Sequence, residues 1–555
     1  MGKFLLGNPR GGYYFEGDDE TSYQGLTFLD NWELIKVLDR IEIDDELQGI
    51  EEKKGVYTKI NKKSSEKFYY KNSQEFVYEA RGSGVIKIFL DCRNIHDYND
   101  QGRIYEISKN SNTYSIKYTK YEDTSLTNKK YEINFELKAK NVKKEDEWIE
   151  KNYSYDKKRG TANKLYVYHA FTTNLENEKC KIKIKYPQNK VKQKRINLNN
   201  YQDKSFNALE RLRIDNEIEG ILAGYPWFYQ VWTRDELISL KPYIIKKDDL
   251  FVKKVLKRHL NNINEEGMVN NRHPHSELGS IDSTGWLAKR LYEHLRGLKK
   301  LKPLYTHEEL TKMYETLRLA EINLRKNRMK KDFIYNKSLE TWMDTGKENS
   351  TRKGYRVEIQ FLYHHLLKTL NYLAELINIK PRYDTEEFKQ RIRKHFITEE
   401  GLIDGIDEEP DFTKRPNVFL AHYISKEILT KEEWEKTFDK VLEECWLEWG
   451  GLSSISKNND LFENEYTGMN NKSYHHGDSW YYINNIASIA MHDLNNEKYK
   501  DYVKKILEAS IEDMETGIVG SCSEISSASK RKNEGALVQA WSASTLYELT
   551  NLHNL

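Results

Sequence analysis

Up to about residue 195 the apolar positions come in short or alternating runs, such as Val85-Ile86-Lys87-Ile88-Phe89-Leu90, Tyr114-Ser115-Ile116-Lys117-Tyr118 and Leu165-Tyr166-Val167-Tyr168. Asn, Asp, Lys and Gly separate them. A period of two broken by turn formers predicts antiparallel strands in a sandwich. Lys181 to Lys194 reads as a last strand running into a basic, polar stretch, which puts the linker near residues 195–205. From Phe206 the period becomes helical. Apolar-faced stretches fall near 206–220, 234–246, 249–263, 283–297, 306–327, 356–376, 385–396, 416–427, 430–443, 479–493, 497–515 and 536–549. Twelve stretches over roughly 350 residues leave about 29 residues per helix and loop, close to what six inner and six outer helices need. The expected architecture is therefore an N-terminal β-sandwich over residues 1–200 and an (α/α)6 helical barrel over 201–555. No short-period repeat is evident, which argues against a solenoid.

Topology sorts the loops before any motif is read. In an up-and-down helical barrel every odd-to-even connection lies at one end. Those connections are the long ones here, and they hold most of the Gly, Trp, His, Arg and Asp clusters. Chemically loaded loops on one rim of a rigid scaffold are where a site is expected.

Composition narrows the partner. Lys plus Arg number 89 against 87 Asp plus Glu, for a net charge of +2, so nothing pulls the chain toward nucleic acid or an anionic membrane. An uncharged partner is the simplest expectation. The chain has 38 Tyr and 11 Trp, rings that serve sugar sites as stacking platforms or simply pack a core. The opening Met-Gly-Lys-Phe-Leu-Leu-Gly-Asn is too short an apolar run for a secretory signal, and no stretch reaches the roughly 18 apolar residues of a membrane span. Cys92, Cys180, Cys445 and Cys522 show no CxxC spacing. A cytoplasmic protein with free thiols is expected. His475 and His476, or His273 and His275, lack the helical spacing and acidic third ligand of a zinc site, so no metal and no cofactor is expected.

Three loops carry the chemistry. The first reads Ala223-Gly224-Tyr225-Pro226-Trp227-Phe228-Tyr229-Gln230-Val231-Trp232-Thr233-Arg234-Asp235-Glu236. The second reads Glu340-Thr341-Trp342-Met343-Asp344-Thr345-Gly346, followed by Arg352, Gly354 and Val357-Glu358-Ile359-Gln360. The third runs Gly517-Ile518-Val519-Gly520-Ser521-Cys522-Ser523-Glu524-Ile525 and ends in Val538-Gln539-Ala540-Trp541-Ser542. Together they resemble the glycogen-debranching amylo-α-1,6-glucosidases of archaea and bacteria and the matching C-terminal domain of eukaryotic debranching enzyme. Glucoamylases carry a related Trp-x-Arg-Asp. The segments Phe4 to Asn8, Gly11-Gly12-Tyr13 and Tyr23-Gln24-Gly25-Leu26 resemble the opening of the family's β-sandwich.

The resemblance implies an inverting hydrolase in which Asp344 is the proton donor and Glu524 the general base. A carboxyl beside Trp342 and Met343 would be partly desolvated, as a general acid requires. Arg234 and Asp235 would grip hydroxyls of the terminal glucose, because a guanidinium and a carboxylate match vicinal hydroxyls. Asp282, Glu358, Gln360, Arg415, His475, His476 and Asp478 complete the expected binding set, with Trp232, Trp286, Trp342 and Trp480 as walls. Capping and loop packing are open alternatives for each. The stretch from Ser526 to Gly535 is polar and unlike the family's, so Asp478 and Glu534 stay open as rivals to Glu524. The implied substrate is an α-1,6-linked glucose stub on a glycogen-like branched α-glucan. The chain has no room for a transferase barrel, which implies a separate glucanotransferase acting on the same substrate. Three other readings remain: a glucoamylase-like exo-α-1,4-glucosidase, a non-catalytic glycan-binding module, and a phosphorylase of the helical-barrel type, which turnover dependent on phosphate would expose.

Overall fold

The computed structural model describes residues 3–17, 20–110, 113–121, 130–193, 198–276, 279–344 and 352–553. Thr345 and Gly346 of the second loop, and Lys194 with residues 195–197 of the expected linker, lie outside the described residues. The chain divides into two compact units, Met1–Ile218 with Met514–Ser521, and Glu219–Asp513 with Cys522–Leu555.

The first unit is built on two antiparallel sheets. One has seven strands in the spatial order Phe4–Gly7, Tyr13–Glu16, Gly25–Asp30, Glu33–Ile43, Val85–Asn94, Lys164–Asn174 and Lys143–Asn152. The other has eight, in the order Arg103–Asn110, Thr113–Lys120, Lys130–Lys138, Lys179–Lys185, Glu75–Gly82, Ser64–Asn72, Val56–Asn61 and Leu47–Lys53. The strand Ser64–Asn72 shows the expected logic, since its odd and even positions alternate between burial and exposure. Buried rings join the sheets: Phe4 lies 5.1 Å from Phe68 and Tyr14 stacks on Phe76 at 4.9 Å between centroids.

The helical expectation fails at one place. The stretch expected at 206–220 is a helix only over Tyr201–Glu210 and continues as the strand Arg213–Asp215. Leu212 and Ile214 are buried while Arg213 and Asp215 face outward, a period of two that overrides the helical spacing of the apolar residues before it. The other stretches are helical in the second unit. The main helices are Thr233–Ser239, Asp249–Asn261, Ser283–Gly297, His307–Arg328, Val357–Leu376, Thr385–Phe396, Asn417–Ser425, Lys431–Cys445, Tyr481–Thr516 and Ala540–His553. The two stretches expected at 479–493 and 497–515 are joined end to end, with a break at Asn495.

The helices beginning at Thr233, Ser283, Val357 and Asn417 pack side by side in that order, and the last helix, Ala540–His553, packs against the first. Asn485 near the start of the Tyr481 helix donates to Ser542 O at 3.4 Å, tying that helix to the last one. The helices between them in sequence, such as His307–Arg328 and Thr385–Phe396, pack against Val357–Leu376. No helix among the described residues is long and apolar enough to cross a membrane.

Candidate active site

The side chains singled out from the sequence cluster where six of these helices begin. Arg234 and Asp235 sit in the first turn of Thr233–Ser239, Asp282 precedes Ser283–Gly297, and Asp344 lies in the loop before Val357–Leu376. Arg415 precedes Asn417–Ser425, Trp480 precedes Tyr481–Thr516, and Glu524 lies in the loop before Ala540–His553. Helix N-termini present unpaired N–H groups and a positive dipole end, which favour nearby carboxylates.

Arg234 ties this cluster together. It is buried, its Nε donates to Asp282 Oδ2 at 2.5 Å, and its Nη1 donates to Asp344 Oδ2 at 3.3 Å. About a third of the Asp344 side chain is exposed, so this carboxyl faces an opening. Glu524, by contrast, is buried. Its Oε1 accepts from the Tyr474 hydroxyl at 2.6 Å and its Oε2 from the Ala536 N–H at 2.7 Å, two donors that hold a carboxylate in place. Gly535, at φ +66°, makes this possible, because a Cβ there would lie 2.3 Å from Glu524 Oε2.

Asp235 feels the charges of both. Burial pushes its carboxyl up to about 8; Arg234 opposes this, while the charges of Asp344 and Glu524 add to it. Gln539 Nε2 donates to Asp235 Oδ1 at 2.9 Å. The strand pair Gly224–Tyr225 with Val538–Gln539 positions that amide, and Gly224 has no Cβ to strike it, since one would lie 2.2 Å from Gln539 Oε1. A proton held by native Asp235 up to about pH 8 is released by the unfolded chain near pH 4, so its stabilising contribution is full below about pH 4 and fades as pH rises toward 8. Asp235→Asn, neutral at every pH, escapes that loss. Its melting temperature relative to wild type rises between pH 5 and pH 8, whereas parallel melting curves would contradict the assignment.

Aromatic rings close the other side. Trp342 meets His475, Trp480 and Tyr482 edge to face at 5.4, 5.4 and 5.3 Å. His475 stacks on Trp480 at 5.0 Å and 7°. Tyr482 stacks on Trp541 at 4.1 Å. Burial pushes the His475 imidazole down to about 4, so it is neutral near pH 7; its Nε2 lies 3.9 Å from Asp344 Oδ1, beyond hydrogen-bond reach. Both His475 ring nitrogens, Tyr482 Oη, Trp541 Nε1, Gln539 Oε1 and Asp478 Oδ1 are buried and make no hydrogen bond within the protein. Leaving such groups unmet costs about 1–3 kcal/mol each. A ligand with apolar ring faces and a rim of hydroxyls satisfies rings and polar atoms together.

Asp478 is pushed up to about 7 by burial, against a 2.7 Å hydrogen bond from Ser473. Glu534 pairs with Lys532 at 2.8 Å. His476 lies at the edge, its Nδ1 3.1 Å from Lys472 O. Trp232 is half-buried, with Arg272 over its ring at 5.6 Å.

Several expected binding residues serve the frame instead. Both Glu358 oxygens accept from Arg352, at 2.7 and 3.0 Å. The same guanidinium donates to Asp404, whose Oδ1 also accepts from Asn417 at 2.7 Å; Asn417 Oδ1 in turn accepts from Trp342 Nε1 at 2.9 Å. Burial works against ionising Asp404, yet Arg352, Arg415 and Arg356 bring it down to about 2. Glu358 thus holds Trp342 through a chain of partners. Gln360 uses both ends of its amide on the Ile334 backbone, at 2.9 and 2.8 Å. Trp286 is buried beside Tyr423, at 6.4 Å, and the Arg290 guanidinium. Arg415 donates to the Ser454 and His475 carbonyls, both at 3.0 Å, and so fixes the His475 backbone. Tyr474, Gln539, Tyr482 and Trp541 belong to the site without having been assigned to it from the sequence. Their signal was position: Gln539, Trp541 and Tyr482 sit at or just before a helix start that carries another site residue, and Tyr474 adjoins His475 in the preceding loop. Among the described residues no three His, Cys, Asp or Glu side chains group as a metal site would require.

Carboxyl groups set among aromatic rings, on helix N-termini, are the equipment of a glycoside hydrolase-type enzyme. The chain belongs to the amylo-alpha-1,6-glucosidase family, whose profile matches residues 187–548. Its fold is glucoamylase-like: a bacterial glucoamylase solved with acarbose matches with a TM-score of 0.65 at 11% identity, covering 100% of this chain and 94% of that one. A GH63 mannosylglycerate hydrolase from Thermus thermophilus, solved with glucose, matches at TM-score 0.46 and 14% identity over 64% of this chain and 100% of that one. An uncharacterised conserved protein from the same organism matches at TM-score 0.45 and 15% identity, over 63% and 99%. None of the curated proteins compared matches significantly.

Proposed function

We propose that this protein is an amylo-α-1,6-glucosidase that removes α-1,6-linked glucose from branch points of glycogen-like glucans by single displacement with inversion. The observation that supports it best is the contrast between two carboxyls whose charges both reach the buried Asp235: Asp344, a third exposed, and Glu524, buried and fixed by two donors. In this reading the Asp344 proton passes to the glycosidic oxygen as the C1–O bond breaks. A water attacks C1 from the opposite face and gives its proton to Glu524, which releases β-glucose. Exchange with solvent then resets both carboxyls. Arg234, Asp235 and Asp282 hold the terminal glucose, with Trp342, His475 and Trp480 as its walls. Glu524 is preferred to Asp478 and Glu534 as base because two donors fix the direction of its carboxyl, whereas Asp478 is drawn toward its neutral form and Glu534 is engaged with Lys532.

The helices that start at the site are the inner ring of an (α/α)6 barrel in this reading, with a β-sandwich preceding it. The chemistry needs no cofactor. A separate glucanotransferase would shorten branches to single glucose stubs, and a cytoplasmic location fits such a substrate and four free cysteines. The glucoamylase-like fold supports a second reading, exo-hydrolysis of α-1,4 bonds. Rates of glucose release from phosphorylase-limit dextrin pretreated with a transferase, beside maltooligosaccharide, decide between them. The proposal expects the branched substrate to be cut at least ten times faster; preference for the linear one transfers the chain to the second reading, and silence on both leaves a glycan-binding module.

A further inference from the structure

The second unit holds a cavity of about 690 Å³ whose lining includes none of the clustered carboxyls. Its walls come from further along the same helices: Lys289 and Glu293 lie seven and eleven residues after Asp282, and Glu548 lies seven after Trp541. At about 1.5 Å per residue these positions are roughly 10 Å or more down the helices. The volume lies within the range of about 300–1,000 Å³ typical of small-molecule sites.

The charges in its walls are already matched. Glu293 pairs with Lys241 at 3.2 Å, Lys289 at 2.9 Å and Arg290 at 2.6 Å. Lys368 pairs with Glu427 at 2.6 Å and Lys426 with Asp493 at 2.8 Å. Arg290 also donates to the Leu237 and Ile238 carbonyls, which caps a helix end, and both Glu548 oxygens accept from the Tyr423 hydroxyl at 2.9 Å. An entering ion would lose its hydration without finding a free counter-charge. What the wall does leave open is uncharged: His365, 4% exposed, is one of the lining side chains, its buried Nε2 has no hydrogen-bond partner in the protein, and its ring meets Tyr292 edge to face at 5.4 Å.

We propose that this cavity is a second binding site for a neutral, hydroxyl-rich ligand of about one to three sugar residues. His365 Nε2 takes a ligand hydroxyl and the Tyr292 ring packs against the sugar. That the ligand is an α-glucan segment rests on the function proposed above; the site would then anchor a neighbouring chain of a branched substrate. Calorimetric titration of the full-length protein with maltotriose tests it, with His365→Leu and Tyr292→Ala as variants. Two binding events in wild type, one of them weakened at least tenfold in either folded variant, are expected. Retained kcat on a short substrate with a three- to tenfold higher KM for long glucan would accompany the loss. A single event in wild type, unchanged in both variants, overturns the proposal. Two events in a protein that releases no glucose would uphold this site while refuting the hydrolase reading, so the two failures are distinguishable.

Discussion

Replacing Asp344 by Asn lowers kcat on a branched glucan by roughly 10²–10⁴-fold while the melting temperature stays within a few degrees of wild type. The substitution keeps the volume, and the amide oxygen can still accept from Arg234 Nη1, so the contact that orients this side chain survives. Only the proton is lost. A substrate whose leaving group needs no proton, such as α-glucosyl fluoride, should therefore recover most of the rate. If Asp344→Asn is fully active on the natural linkage, Asp344 is not the acid; if the fluoride fails to restore turnover, the residue orients substrate and does not protonate it. Measuring kcat on both substrates separates these cases.

Glu524→Gln should cost a similar factor, with the opposite response to leaving group. Both Glu524 oxygens accept from donors, but the Ala536 N–H is fixed whereas the Tyr474 hydroxyl can rotate and accept. A glutamine fits with its oxygen toward Ala536 and its NH2 toward Tyr474, and the loop is kept. Water activation is lost, and a better leaving group does not replace it. The fluoride should thus be turned over slowly by Glu524→Gln, and wild-type rates on it would remove Glu524 from the role of base. The corresponding variant at Asp478 tests the remaining rival: Asp478→Asn should retain activity far above Glu524→Gln.

Much of the fold was legible because it rests on periodicity. The alternation of Ser64–Asn72 and the long apolar face of Val357–Leu376 report sheet and helix directly. Where the period changes within a few residues, as after Glu210, local pattern gave way to the pairing available to Arg213–Asp215. The site was legible for a different reason. Arg234, Asp344 and Glu524 are scattered over almost 300 residues, and no local rule brings them together; their position before helix starts does, once those helices pack side by side. Glu358 and Gln360 entered the expected set through the Val-Glu-Ile-Gln resemblance; they lie in the first turn of a helix beside the site, and their side chains bond to Arg352 and to the Ile334 backbone. A helix turns about 100° per residue, so adjacent residues in a first turn face different neighbours. Trp286 differs for another reason: four residues past Asp282 it lies on nearly the same helix face but about one turn further along, where it packs on Tyr423. Tyr482 and Trp541 are the converse, rings that were not assigned to the site from the sequence yet carry buried polar atoms without a partner in the protein.

The central claim is single-displacement hydrolysis of a branch-point glucose, and the anomer of the first-formed product tests it most directly. Proton NMR during the first minutes of reaction on transferase-treated limit dextrin, before mutarotation mixes the anomers, should show β-glucose. α-Glucose as the initial product would mean that the linkage is cut with retention and would contradict the pairing of Asp344 as acid with Glu524 as base.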